Sequence, residues 1–407
     1  MKKIFRLICL LMIFAAFCGC SKNINNSEAT DVINELTKEY EKKTVVDFGD
    51  TVYNFKTDSQ NCFDPQMREI VSVNSGYYFF IHDKKANCWL KYYDKNSNTC
   101  IPVCQRVDCN HDNDNCDSVF LKEENITNAD GRLWYYKDML YYISTEIHDN
   151  CIDYNLNSIT LDGSKRTKIC TLYSSFFYDS KAMGMQMLVH RGEVYYSMSG
   201  TEISYLYKRS LSDIDSEIEI CRCSGFYTGI YNMQGYGDGI CFQCYYYEDE
   251  PKDEYDIKEK VFYYNSNTEE ISFLSDDILG LYSLADYGIL YSNGTDMMYL
   301  GFDNYESKVF IKDCVSTSSF DGKYIYVDNI DEIEIDIADK QKRAINIYDI
   351  AGNLVDSITL ENNSLPSAFG DEDYLFQYFL DEYDDYVLCS FDKSQIGTGK
   401  HEWNKIK

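Results

Sequence analysis

From residue 70 onward one unit recurs seven times without being spelled the same way twice: a small or acidic turn, a Tyr-rich run, and a second run ending in a polar turn. The first runs occupy 76–81, 138–143, 192–196, 239–242, 288–291, 322–326 and 373–376; Gly76-Tyr77-Tyr78-Phe79-Phe80-Ile81 is typical. The second runs occupy 90–94, 158–162, 206–210, 261–265, 298–303, 345–349 and 388–392, closing on residues such as Asp94, Asn265 and Asp392. Tyr, Phe, Ile and Val suit the pleated surface of a strand, and Gly, Asn and Asp bound it with turns. Successive second-run turns lie 38 to 68 residues apart, which suits four-stranded propeller blades better than the tighter solenoid repeats. Seven units over 70–407 allow about 48 residues each. The expectation is an all-β protein, a β-propeller over 44–407 with about seven four-stranded blades, six or eight remaining open. Thr44-Val45-Val46-Asp47-Phe48 reads as a strand that closes the ring with the last blade. With 38 Tyr and 22 Phe against 4 Pro, the chain has the apolar surface for a large core, which excludes disorder along its whole length.

The N-terminus has a different grammar. Residues 1–6 carry three cations and 7–17 are almost wholly apolar, the n- and h-regions of an export signal. The apolar run is too short to span a bilayer, which takes ~20 residues. Phe17-Cys18-Gly19-Cys20-Ser21 resembles the bacterial lipoprotein signal, in which a small residue precedes a cysteine that receives a diacylglycerol. Gly19 supplies the small residue, so Cys20 is the expected lipid attachment site and residues 1–19 the signal that is removed. Two acyl chains suffice for stable anchoring. The implied location is the cell membrane, lipid-anchored on the extracellular face. Residues 20–43 are expected to hold the lipidated Cys20, a polar tether over 21–29 and a short helix over 31–43, capped by Thr30 with Ile33, Leu36 and Tyr40 at helical spacing.

The formal charge is −29, and losing Lys2, Lys3 and Arg6 with no acid makes it −32. This argues against nucleic acid, whose phosphates need basic patches, and against electrostatic docking on anionic lipid. Contact with the bilayer is expected through the Cys20 diacylglycerol. Ile333-Glu334-Ile335-Asp336-Ile337 alternates strictly and reads as an exposed outer strand whose charges discourage edge pairing.

The densest of the 17 cysteines cluster in one loop, Cys100-Ile-Pro-Val-Cys104-Gln-Arg-Val-Asp-Cys109-Asn-His111-Asp-Asn-Asp-Asn-Cys116. Three readings stand for Cys104, Cys109, His111 and Cys116. The leading one is a disulfide-stapled loop, as expected outside the membrane. The second is a tetrahedral Cys3His zinc site, although the spacings are wider than the two-residue knuckle of familiar zinc motifs. The third is free thiols. The pattern Val-Cys-x4-Cys-x-His-x4-Cys after a Tyr-Tyr-Asp strand resembles surface lipoproteins of anaerobic low-GC Gram-positive bacteria. These carry a lipobox followed by propeller-like repeats of the low-density-lipoprotein-receptor-related type. The resemblance spans the lipobox, the loop and, more loosely, the repeats. It implies no activity and no catalytic residues. Cys221-Arg-Cys223 and Cys241-Phe-Gln-Cys244 fall in strand-like runs and read as buried hydrophobes rather than redox pairs.

The chain has no Gly-x-Ser-x-Gly elbow, no His-Glu-x-x-His and no phosphate-binding Gly-x-x-x-x-Gly-Lys. Gly235-Tyr-Gly237-Asp-Gly239 has the wrong spacing for a dinucleotide loop and reads as a turn. The acidic groups Glu248-Asp249-Glu250 and Asp381-Glu382-Tyr383-Asp384-Asp385 read as solvated loops, and Asp112 to Asp117 lacks the glycine and distal Glu of a calcium loop. No cofactor is implied beyond the zinc reading. The function expected is a membrane-anchored propeller that binds a glycan, a peptide or an envelope protein. The alternative is a carbohydrate-active hydrolase or lyase with carboxylates at the propeller mouth.

Overall fold

The computed structural model describes residues 34–37, 46–49, 70–83, 87–121, 133–176, 184–250, 257–276, 278–285, 287–303, 305–314, 318–329, 343–360, 369–380 and 386–406. The export signal, Cys20, the tether, the 333–337 alternation and the acidic run 381–385 lie outside them. Among the described residues no helix is long and apolar enough to cross a membrane.

Seven antiparallel sheets follow one another along the chain, each a four-strand meander: residues 70–102, 133–176, 184–224, 226–275, 279–311, 318–360 and 369–405, here blades 1 to 7. The fold is a seven-bladed β-propeller. The first run of each unit lies in or leads into the second strand of its blade and the second run lies in or runs out of the third, for example Gly76–His82 and Cys88–Asp94 in blade 1. Middle strands are paired on both edges, and those buried on both faces, such as Glu193–Ser199 and residues 261–265, read as near-continuous apolar runs. The outer strand of blade 3, Asp213–Ser224, is mostly exposed over its first half and carries no such signature.

The core sits at the seams between blades rather than at one centre. Apolar clusters join blades 1 and 2, blades 2, 3 and 4, blades 4 and 5, blades 5 and 6, and blades 6, 7 and 1, so the ring is closed. Tyrosine dominates because a buried ring next to a blade edge can still place its hydroxyl on a polar partner. Tyr282 donates to the Asn232 carbonyl of the preceding blade at 2.9 Å, and Tyr326 to Asp321 at 2.6 Å. Three middle strands open on glycine for a shared steric reason. A Cβ on Gly76, Gly239 or Gly288 would lie 2.0, 1.8 or 2.3 Å from the carbonyl oxygen of Tyr93, Tyr264 or Leu300 on the adjacent strand.

The N-terminal segments correct two expectations. Asn34–Glu35 is not helical: it is a strand that pairs in parallel with Asp213–Ser224 of blade 3, and Leu36 is fully buried below it. The exposed edge of that blade offers unpaired backbone groups, which outweigh the weak helical pattern. Residues 46–49 do not complete the last blade. Val46 is buried at the seam of blades 4 and 5, and Phe48 sits 5.0, 4.6 and 4.7 Å from the rings of Tyr236, Tyr263 and Phe302. Their backbone is held from below, with Asn265 Nδ2 donating to Asp47 O at 2.9 Å and the Asp238 N–H to Phe48 O at 3.2 Å. Blade 7 draws all four strands from residues 369–405, so the ends meet by face packing, without strand exchange.

Candidate functional site

In a four-strand meander the turn after the first strand and the turn after the third lie at the same end of the blade. At that end of blades 6, 7 and 1, two aspartates organise the surface. Asp321 Oδ1 accepts from the N–H groups of Lys323 (2.8 Å) and Tyr324 (2.7 Å), and Asp371 Oδ1 from those of Asp373 (2.9 Å) and Tyr374 (3.0 Å). Each thus folds its own turn, and its second oxygen reaches into the neighbouring blade. Asp321 Oδ2 accepts from Lys393 Nζ of blade 7 at 2.5 Å. Asp371 Oδ2 accepts from Ser72 (2.9 Å), Tyr77 (2.7 Å) and Lys95 (3.0 Å), all of blade 1. Lys393 also donates to the Asp371 carbonyl.

Burial would raise the Asp371 carboxyl, but the Tyr77 hydroxyl, the Lys95 charge and two backbone N–H groups hold it below its ordinary value. Burial pulls the Lys393 ammonium below its ordinary value, and Asp321 only partly offsets this. Lys95, less enclosed, is held above its ordinary value because Asp371 and Asp373 outweigh its burial.

Over these turns lies a cleft of about 550 Å³, where Lys95, Lys323, Tyr324, Glu372, Asp373 and Tyr374 meet. It offers two tyrosines, cations and carboxylates on a floor fixed by ion pairs. Such a surface can hold a polar ligand with ring or acyl faces, through stacking and hydrogen bonds. Sequence reading did not find it. The available signal was the pair Asp94-Lys95 and Asp392-Lys393 after third strands, matched by Asp-x-x-Tyr in the first turns of blades 6 and 7.

The cysteine loop lies elsewhere, on the outer edge of blade 1. The outer strand there is split into Thr99–Pro102 and Val119–Phe120, both paired with Cys88–Asp94. Residues 103–118 leave the sheet between them, and both ends are pinned on Leu90: the Val103 N–H donates to Leu90 O (3.0 Å) and the Leu90 N–H to Ser118 O (2.9 Å). All four residues singled out in the sequence converge. The Sγ atoms of Cys104, Cys109 and Cys116 and a ring nitrogen of His111 lie within 4.8 Å of one another. His111 Nδ1 is 3.4 Å from Cys116 Sγ, and the His111 N–H points at Cys109 Sγ, also at 3.4 Å. Burial and the N–H groups of Arg106 and Asp117 act oppositely on the Cys104 thiol, and the latter bring it below its ordinary value. Burial pushes Cys116 up to about 11, against the Ser118 hydroxyl.

Among the described residues no two cysteines are joined in a disulfide; in the loop three sulfurs share one centre with an imidazole. No other group of three or more His, Cys, Asp or Glu side chains converges among the described residues. Cys221, Cys223, Cys241 and Cys244 are fully buried in the seams, and burial raises the Cys221 and Cys241 thiols far above their ordinary range. Gly237 and Asp238 form the tight turn expected of them, and Glu248 to Glu250 are exposed.

No protein-family model matches the chain, and no curated protein matches it by sequence. Solved structures do match. One, from a study of two prolyl endopeptidases, aligns over 86% of this chain and 51% of its own length, with 10% identity and a TM-score of 0.51. A polysaccharide lyase described as an ulvan lyase aligns over 86% of this chain and 96% of its own, with 10% identity and a TM-score of 0.48. An acylaminoacyl peptidase from Pyrococcus horikoshii aligns over 68% and 45%, with 12% identity and a TM-score of 0.48. The chain spans about half the length of the peptidases it matches. At such identities the likeness is one of fold: this chain is similar to those proteins as a propeller.

Proposed function

We propose that the chain is an exported lipoprotein, anchored to the extracellular face of a cell membrane through diacylglycerol on Cys20, and that its propeller is a ligand-binding module. The observation that carries the binding reading is the cleft over blades 6, 7 and 1, with Tyr324 and Tyr374 beside Lys95 and Lys323 on an ion-paired floor. Rigid scaffolds present binding groups on their turns, and aromatic rings flanked by polar groups suit sugar rings and peptide planes. The anchor rests on residues 1–21 alone.

The second reading is a hydrolase or lyase that uses the same cleft, since Glu372 and Asp373 line it. One experiment separates the two. The full chain in detergent is screened against immobilised glycans and peptides beside a Lys323→Ala/Tyr324→Ala variant. Retention that the variant loses, with the ligand recovered intact, supports the module. Ligand recovered cleaved supports the enzyme. Retention that is unchanged in the variant, or absent in both, rules out this cleft.

A further inference from the structure

The geometry of the cysteine loop points to a structural zinc site, and we infer that Cys104, Cys109, His111 and Cys116 bind one Zn2+ as a closed Cys3His centre. This goes beyond the binding reading and stands independently of it. The first argument is the ligand set. Three thiols and an imidazole are the donors Zn2+ favours in structural sites, and four protein ligands leave no position open for substrate.

The second argument is distance. Tetrahedral zinc with Zn–S near ~2.3 Å and Zn–N near ~2.0 Å separates its ligand atoms by about 3.5–3.8 Å. The 3.4 Å from His111 Nδ1 to Cys116 Sγ and the 4.8 Å bound on the whole set match this, whereas the described cysteines form no disulfide.

The third argument is the backbone. His111 adopts φ of 57°, a left-handed conformation that few non-glycine residues take. That turn places its N–H on Cys109 Sγ while its ring faces Cys116. An N–H aimed at a sulfur stabilises the thiolate that a metal requires.

The fourth argument is need. Within 103–118 only Val103, Cys116 and Ser118 are buried, and Val107 is fully exposed. Such a loop cannot hold its shape by apolar burial, yet both its ends are fixed on Leu90. A metal at its centre supplies the missing cross-link, as in small domains that fold around zinc. Arg166 of blade 2 then docks on the rigid loop base: its guanidinium lies 3.6 Å from the centre of the Phe120 ring and donates to Val119 O at 3.0 Å and to Asp117 O. The zinc loop therefore stiffens the seam between blades 1 and 2.

The test uses the full chain in detergent, reduced, stripped of metal and titrated with Co2+ and then Zn2+. The result expected is one Co2+ per chain with the intense visible absorption of tetrahedral thiolate coordination, displaced by one Zn2+. Cys109→Ser loses that signal, Cys151→Ser outside the loop keeps it, and His111→Cys keeps binding while shifting the spectrum toward all-thiolate coordination. If Cys109→Ser does not fold, the wild-type spectrum and the His111→Cys shift still decide. Failure of the reduced wild-type chain to take up metal, an octahedral Co2+ spectrum, or equal binding by folded Cys109→Ser would overturn the inference.

Discussion

Lys393 of blade 7 donates to Asp321 of blade 6 at 2.5 Å, with the two side chains only 4% and 2% exposed. One seam further on, Lys95 of blade 1 donates to Asp371 of blade 7 at 3.0 Å, and there the lysine is 19% exposed. In both, the residue after a third strand reaches back to the first turn of the preceding blade. The second seam is where the two ends of the ring meet. Ion pairing and apolar packing there replace the shared strand that sequence alone suggested.

Removing one partner of a buried ion pair strands the other charge. Lys393→Met is expected to lower the stability of the propeller by about 3–5 kcal/mol. Adding Asp321→Asn should recover part of that loss, because the unpaired carboxylate disappears. Lys95→Met, at the more open pair, should cost less. Urea unfolding of the three variants checks the order, and equal losses for Lys393→Met and Lys95→Met would contradict it.

Acid should act through Asp371. Its carboxyl is held below its ordinary value in the folded chain, by Tyr77, Lys95 and backbone N–H groups that prevail over burial. The folded state therefore binds that proton more weakly than the unfolded state. The stabilisation is fully present above the ordinary Asp value of ~3.9 and is lost as pH falls through the depressed folded value. Asp371→Asn should be less stable than the parent at neutral pH, with the difference narrowing as pH drops below about 4. Denaturation midpoints measured from pH 7 to pH 2.5 check this; a gap that widens in acid would contradict it.

Residues 46–49, packed over the seam of blades 4 and 5, should be separable from the ring. Phe48 is only half-buried, so Phe48→Ala is expected to cost about 2 kcal/mol locally, less than full burial of a Phe would imply. The Asp238 N–H, which donates to Phe48 O, should then exchange with solvent faster while amides of the middle strands keep their protection. Hydrogen exchange reads both at once.

Gly239→Ala tests why middle strands open on glycine. A Cβ there meets the Tyr264 carbonyl oxygen at 1.8 Å, and main chain cannot swing aside as a flexible side chain does. A loss of at least about 1–3 kcal/mol is expected from overpacking. Gly280→Ala provides the contrast, since a Cβ there meets nothing within 4 Å and only its positive φ resists the change.

What was legible in the sequence was what two-sided burial imposes. Runs such as Val261-Phe-Tyr-Tyr264 are paired and packed on every side, so their composition announces them, and counting them predicts seven blades. Outer strands that answer to solvent, such as Ser307–Ile311, carry no comparable signal. The Leu36 spacing suggested a helix because periodicity ignores the open edge of blade 3. The four residues of the cysteine loop were legible as a group, with a shared Cys3His centre among the readings, but the spacing did not choose among those readings, because the convergence depends on the left-handed turn at His111. The Lys393–Asp321 pair joins residues far apart in the chain, and only the ring brings them together.

Export and anchoring of the propeller are read from the intact mass of the protein extracted from its own membrane. The mass predicted is that of residues 20–407 plus a diacylglyceryl group, with Cys20→Ser yielding an unprocessed or unlipidated chain. A wild-type mass equal to the full 407 residues, or to any processed chain without lipid, would contradict it.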